Sequence, residues 1–257
     1  MNGTDKKYSV VIPSIGRWNY LSELIGTIEN QNILPHEIIL LLDSANKCES
    51  EPVEQLLSRF VKLNIRVIYC DDNLAAKRNY GAQLAETEQI FFSDDDDLWM
   101  QQKAEKCLRQ LLQFDVVSHN YSKFGELDGT SLSKLGIFDK VISDVNKLPG
   151  DNVFGGGSSI VAKRDIICRF PFDPKMAYCE DFHWWLCIIN NNISVKYLGL
   201  DLVSYRAHNT NMTKRNWLIF KFSVYAVLKV KNKSFSMWAF SFKTVGRGLG
   251  KFIMKSF

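Results

Sequence analysis

"QIFFSDDDDLW", residues 89–99, sets four aspartates end to end directly behind a run that reads as a buried strand. Carboxylates held side by side repel, and two that share a site raise each other's pKa. Such a cluster is either solvated and idle or faces something positive. A solvated turn with a helix cap accounts for Asp97, which stands just before the helical stretch "LWMQQKAEKCLRQLLQF". It does not account for four acids, because a turn requires no such tetrad. A hard divalent cation accounts for them better. Mg²⁺ or Mn²⁺ takes oxygen ligands, keeps several waters, and binds through one or two protein carboxylates plus substrate phosphates.

Outward from this stretch, β-rich runs alternate with helical ones. "YSVVIP" (8–13), "EIILLL" (37–42), "IRVIYC" (65–70) and "QIFFS" (89–93) read as strands with the continuous apolar character of burial on both faces. "NYLSELIGTIENQ" (19–31), "EPVEQLLSRFVKL" (51–63) and "LAAKRNYGAQLAE" (74–86) read as helices between them. Pro52 suits the first turn of the second, and Asn73 can cap the third. This order predicts an α/β fold, a mostly parallel sheet covered by helices. "DVVSHNY" (115–121) continues as a fifth strand, and "GGGSSIVAKRDII" (155–167) as strand then helix. "EDFHWWLCIIN" (180–190) reads as a mostly buried helix, with "SVKYLG" (194–199) and "LVSYRAH" (202–208) as the last strands. Residues 122–152 are polar and aperiodic, the kind of insertion that lies over a site.

In open α/β sheets, ligands bind beyond the carboxyl ends of the strands. Four polar features fall there: Ser14 to Arg17, Asp43, Asp71 with Asp72, and Asp94 to Asp97. Their convergence carries more weight than any one short motif. "GGGSS" (155–159) lacks the lysine and spacing of a P-loop. Its glycines either let backbone approach a ligand or form a tight turn.

The chain's 257 residues, 46% hydrophobic and 23% charged, suffice for a substantial core. Six scattered cysteines without a C-x-x-C pair read as reduced thiols of a cytosolic protein. The start, "MNGTDKKYSVVIP", has no signal-peptide h-region, and no run approaches the length of a spanning helix. The net charge of +4 conceals an asymmetry. From Leu202 to Phe257 there are eleven Lys or Arg and no Asp or Glu, which leaves residues 1–201 at −7. Trp, Phe and Tyr interleave with lysines in this tail, the pattern of an amphipathic segment lying in a membrane interface. The rival readings are a nucleic-acid arm, for which the body offers no motif, and helices packed on the domain with their lysines exposed. The simplest division is one domain over residues 1–208 and a basic, aromatic, membrane-associating region over 209–257.

"SVVIPSIGR", "EIILLLDSA", "KRNYGAQLAETEQIFFSDDDDLW" and "YCEDFHWWLCIIN", in this order and at these distances, resemble the inverting glycosyltransferases of family 2. The resemblance covers roughly residues 7–208. It implies the GT-A fold, a Rossmann-like nucleotide-binding domain with an Asp-x-Asp motif, here Asp94-x-Asp96. It also implies roles for particular residues. Pro13, Ser14 and Arg17 line the nucleotide pocket, and Asp43 accepts a hydrogen bond from uracil or ribose. Arg78 and Asn79 match the family's Arg-Asn pair, which makes Arg78 a nucleotide-sugar-binding residue, the alternative being an exposed helix position and a helix–sheet contact; the residues themselves suggest that Gly156 approaches the donor sugar. Asp94 and Asp95 meet the sugar-nucleotide, while Asp94, Asp96 and His208 meet its metal, Mn²⁺ or Mg²⁺. The general base falls in Glu180-Asp181, with Asp181 preferred. Read from the residues themselves, "YRAHNTNMT" (205–213) brings Arg206 and His208 to the diphosphate or metal or leaves the histidine solvated, and Trp184 stacks on the acceptor sugar or packs in the core, since adjacent indoles on a helix cannot both point the same way. The chain departs from the family at Leu42-Asp43-Ser44-Ala45, where Asp-Asp-Gly-Ser is usual.

Kinship with short enzymes of O-antigen and capsule assembly implies a UDP-sugar donor and glucose or galactose as the hexose transferred. It also implies an N-acetylhexosamine-diphospho-undecaprenol acceptor, a β-1,3 linkage, and a place on the inner face of the cytoplasmic membrane. No nucleic acid partner is expected. The alternatives are a transferase using another nucleotide-sugar later in glycan assembly, a uridylyltransferase, which would want a glycine-rich N-terminal loop, and a nucleotide-sugar-binding protein without catalysis.

Overall fold

The computed structural model describes residues 7–48, 50–125, 138–144, 154–208 and 216–230. In it the alternation of apolar runs becomes a nine-stranded mixed sheet. Strands β1 (Tyr8–Ser14), β2 (Glu37–Leu42), β3 (Ile65–Tyr69) and β4 (Gln89–Phe92) are parallel, in the order β3-β2-β1-β4. The chain order runs outward from β1 to β3 on one side and resumes with β4 on the other. The crevice between the carboxyl ends of β1 and β4 is therefore the topological switch point, where such sheets bind ligands. Ser14 ends β1, and Asp94 follows β4 by two residues.

The helices sort by the two faces of this sheet. Alternate residues of β1 point opposite ways. Val10 and Ile12 join a core with α1 (Trp18–Glu29), α2 (Ser50–Arg59) and α4 (Lys103–Gln110), and Val11 joins the core opposite. That second core holds α3 (Leu74–Leu84), α5 (Arg164–Arg169), α6 (Glu180–Asn190) and α7 (Asn216–Lys229). Helix α1 buries Leu21, Leu24, Ile25 and Ile28, an i, i+3, i+4, i+7 stripe. Helix α3 starts on Asn73, whose side chain accepts from Ala76 N at 3.0 Å. It crosses β1 so closely that a Cβ on Gly81 would overlap Val11.

Beyond β4 the sheet becomes mixed. Strand β8 (Val161–Lys163) is antiparallel to β4 and to β6 (Val116–Gly125), and β6 is parallel to β9 (Val195–Ala207). Strand β9 also pairs antiparallel with β5 (Leu98–Trp99) and β7 (Lys140–Ile142). The β6–β9 register shifts on both sides of Asn120, a local irregularity of the kind that bends a strand pair.

Three expectations change. Residues 98–102 do not begin a helix. Leu98 and Trp99 pair with Ser204 and Val203 instead, and α4 starts at Lys103 with its Ala104 N–H donating to the Gln31 side chain at 3.0 Å. Asp97 therefore caps nothing. The two expected last strands are one continuous strand, β9. Helix α7, in the stretch expected to lie on a membrane, buries Ala226 and Val227 in the core with α6, and Val230 just after it joins them. Residues 209–215 and 231–257 of that stretch, and 126–137 and 145–153 of the expected insertion, lie outside the described residues. Among the described residues, no helix is long and apolar enough to cross a membrane.

Candidate active site

Each of the four aspartates has its own partners. Asp94 accepts from Arg78 Nη2 at 2.7 Å. Asp95, 2% exposed, accepts from Ser14 Oγ at 2.5 Å and pairs with the Arg17 guanidinium. Asp96 receives Arg17 Nη1 at 2.7 Å and, on the same oxygen, His208 Nε2 at 2.9 Å. Asp97, 1% exposed, accepts from Ser158 Oγ at 2.6 Å and from the Arg206 N–H at 3.2 Å. Burial, then the charges of Asp96 and Asp94, push the Asp97 carboxyl well above the usual range. Burial also raises Asp95, against the pull of Arg17. The run is thus tolerated largely because two arginines lie along it, a compensation the local sequence does not display.

The loop "GGGSS" clamps the run from the other side. Ser158 Oγ accepts from Asp94 N at 2.9 Å while donating to Asp97, so one hydroxyl spans both ends of the tetrad. Beneath it the fully buried Lys103 donates to Ser158 O at 2.7 Å, with its ammonium 3.6 Å from the centre of the Trp99 ring. Burial lowers the Lys103 pKa to about 7. Gly156 faces Asp94, and Gly157 lies against Arg78. These glycines serve close approach to the acidic site and not only a turn.

On the β1–β2 side, Asp43 pairs with Lys77, which also donates to Ser14 O at 3.4 Å. The Asp43 side chain remains 38% exposed and open to a ligand. Asp71 accepts from Ser44 N at 2.6 Å and shapes this rim. Pro13 and Ser14, at the end of β1, are buried beneath it.

Across the crevice, Arg78 Nη1 donates to Glu180 Oε1 at 2.5 Å at the start of α6. Burial works against the Arg78 charge, but Asp94 and Glu180 more than offset it and hold its pKa up. Asp181 follows in the first turn, partly exposed, with Oδ1 accepting from Phe182 N at 2.7 Å. Burial, and then the Glu180 charge, push the Asp181 carboxyl up to about 7. That is the range a general base needs near neutral pH. Cys179, just before it, holds φ 57°, a left-handed conformation that costs a non-glycine residue about 1 kcal/mol and sharpens the entry into α6.

Two groups here are of the kind a hard divalent cation takes, the Asp96 carboxylate and the His208 imidazole, hydrogen-bonded to each other at 2.9 Å; such ions take their remaining positions from phosphate oxygens and water. Asp94, expected as a third ligand, is turned to Arg78. Among the described residues, no group of three His, Cys, Asp or Glu side chains is arranged to hold a metal.

Of two further expected site residues, one lies in the core and one against the aspartate run. Trp184 is 1% exposed, stacked on Phe172 at 5.2 Å with Nε1 donating to Phe170 O, and so belongs to the core. Arg206 lies between the Tyr20 and Phe124 rings, 4.4 and 4.5 Å from their centres. It donates to Asp96 O at 2.9 Å and to Glu23 at 2.6 Å, which ties the aspartate run to α1. Ser158, Lys103 and Lys77 were not singled out from the sequence, because their partners are remote in the chain.

Comparison with known proteins agrees with this geometry. Residues 9–169 match the family described as Glycosyl transferase family 2. The putative teichuronic acid biosynthesis glycosyltransferase TuaG of Bacillus subtilis is 23% identical over 244 residues, 90% of this chain and 92% of TuaG. The Escherichia coli enzyme WfgD, UDP-Glc:alpha-D-GlcNAc-diphosphoundecaprenol beta-1,3-glucosyltransferase, is 24% identical over 83% of this chain and 85% of its own. Among solved structures, S. aureus TarS 1-349 in complex with UDP-GlcNAc superposes with a TM-score of 0.69 at 14% identity, over 95% of this chain and 71% of TarS 1-349. The mannosyltransferase PcManGT of Pyrobaculum calidifontis, in complex with GDP-Man and Mn²⁺, gives 0.70 at 14%, over 96% and 70%. The fold is GT-A, and the chain belongs to glycosyl transferase family 2.

Proposed function

We propose that this protein is an inverting hexosyltransferase that moves glucose or galactose from a UDP-sugar to an N-acetylhexosamine-diphospho-undecaprenol acceptor. The product would be a β-1,3 linkage in an O-antigen or capsular repeat unit. The observation that carries the reading is Asp181, at the mouth of α6 and joined through Glu180 and Arg78 to the aspartate run. WfgD's likeness over most of both chains supports the donor and acceptor class.

In this reading the UDP moiety lies along the ends of β1 and β2, with Asp43 facing the base or ribose and Arg17 near the diphosphate. Asp96 and His208 would hold Mn²⁺ or Mg²⁺, which supplies positive charge where the departing diphosphate becomes more negative. Asp181 accepts the proton of the attacking acceptor hydroxyl, an assistance typically worth ~10²–10⁴-fold. One displacement from the face opposite the leaving group inverts the anomeric carbon.

The acceptor class implies work at the inner surface of the cytoplasmic membrane. Helix α7 turns Trp217, Lys221, Tyr225 and Leu228 outward along one stripe, in a segment without acidic residues, which favours an anionic lipid surface. A second reading is a transferase that uses another nucleotide-sugar donor later in glycan assembly; the likeness over 90% of this chain to TuaG, a putative teichuronic acid biosynthesis glycosyltransferase, supports polysaccharide assembly without naming the donor. Incubation with Mn²⁺, UDP-Glc, UDP-Gal, UDP-GlcNAc or GDP-Man, and GlcNAc- or GalNAc-α-diphospho-lipid or longer lipid-linked chains separates the two. Transfer from UDP-Glc or UDP-Gal supports the first reading, and transfer only from another donor to longer lipid-linked chains supports the second. Nucleotide binding without transfer or hydrolysis leaves a binding protein.

A further inference from the structure

Arg78 reaches both halves of the site. Its Nη1 donates to Glu180 at 2.5 Å and its Nη2 to Asp94 at 2.7 Å, so one planar fork joins the aspartate run to the first residue of α6. The side chain is 1% exposed, lies 5.7 Å from the centre of the Phe172 ring, and has its Nε buried as well. Gly157 covers it so closely that a Cβ there would overlap Nη2. A guanidinium enclosed in this way has no open face for a nucleotide. We propose that Arg78 is a positioning residue, which fixes the start of α6, and with it the Asp181 carboxyl, against the aspartate run without touching the nucleotide-sugar. The glycine at 157 is what admits it.

This rests on the reading of Asp181 as the base, and the test keeps the two apart. Arg78→Lys retains the charge but cannot make both bonds at once. UDP affinity in the presence of Mn²⁺ is measured by calorimetry, and kcat by transfer or by slow hydrolysis of the UDP-sugar without acceptor. The expected result is UDP affinity within about threefold of wild type with kcat down about hundredfold, the scale of a 1 Å misplacement of a catalytic group. In an Asp181→Asn background the same change should cost little more, since both act on one step. If Arg78→Lys does not fold, Gly157→Ala displaces the same guanidinium and should show the same split. A tenfold or greater loss of affinity for UDP, or for the intact UDP-sugar measured in the Asp181→Asn background, overturns the proposal and makes Arg78 a donor ligand. Losses that multiply in the double variant overturn it too. Full activity of Asp181→Asn alone would remove the base assignment, while the split between UDP affinity and kcat would still decide the role of Arg78.

Discussion

Arg17 Nη1 lies 2.7 Å from Asp96 Oδ2, the oxygen that His208 also meets. The same guanidinium holds Asp95, so one side chain neutralises two successive carboxylates at the switch point. Arg17→Ala leaves the buried Asp95 with Ser14 alone, and a loss of about 2 kcal/mol is expected in chelator. Mn²⁺ with UDP should widen it, because ligand bound only to the folded state stabilises that state and a variant without the Arg17 contact to the diphosphate gains less from it. Thermal melts with and without Mn²⁺ and UDP check this. Equal loss in both conditions would separate Arg17 from the donor site.

The pH dependence of kcat/KM should show an acidic limb near pH 7, with activity rising as Asp181 loses its proton. Glu180→Gln removes a negative neighbour that raises the Asp181 pKa, so the limb moves to lower pH. A limb that stays in place would show that another group is titrating.

Lys103 carries a different pH signature, in stability. Its pKa is about 7 in the folded chain against 10.5 for a free lysine. Between those values the unfolded chain binds more protons, so this group makes the protein more stable as pH rises through that window. Lys103→Met should flatten the rise between pH 7 and 9 in urea midpoints and loosen Ser158. An unchanged slope would contradict the burial argument.

Trp184 belongs to the core, not the substrate. Trp184→Ala is expected to cost about 3–5 kcal/mol in denaturant melts while leaving UDP affinity intact in the folded fraction. A selective loss of acceptor affinity without destabilisation would return it to the site.

The outer stripe of α7 is tested with vesicles. Trp217→Ser together with Tyr225→Ser should reduce co-sedimentation with phosphatidylglycerol vesicles, and high salt should reduce that of the wild type. Transfer to a short-chain acceptor should be unaffected. Undiminished binding by the double variant would place the membrane contact elsewhere.

The first four strands and the aspartate run at the centre of the site were legible because both are local. Apolar runs mark β1 to β4 and put Ser14 and Asp94 at the carboxyl ends of strands, while the order of the strands in the sheet shows that these two ends flank the switch point. The partners of the run were not legible, because they arrive from far along the chain. Ser158 reaches Asp97 across 61 residues and Arg206 across 109, and a four-residue acidic run does not announce them. The same distance misled the reading of residues 98–102. Their helical pattern is real, but β9 offers an open edge that captures Leu98 and Trp99 first. Trp184 and Trp185 could not be assigned from spacing, since adjacent indoles suit a core as readily as a sugar face. Both are buried, with Trp185 stacked on Phe154.

The measurement closest to the central claim is the anomeric configuration of the product formed from an α-linked UDP-hexose, by NMR, with Asp181→Asn alongside. The account predicts a β-linked product from the wild type and a loss of roughly a hundredfold or more in the variant. An α-linked product, or undiminished transfer by Asp181→Asn, would contradict it.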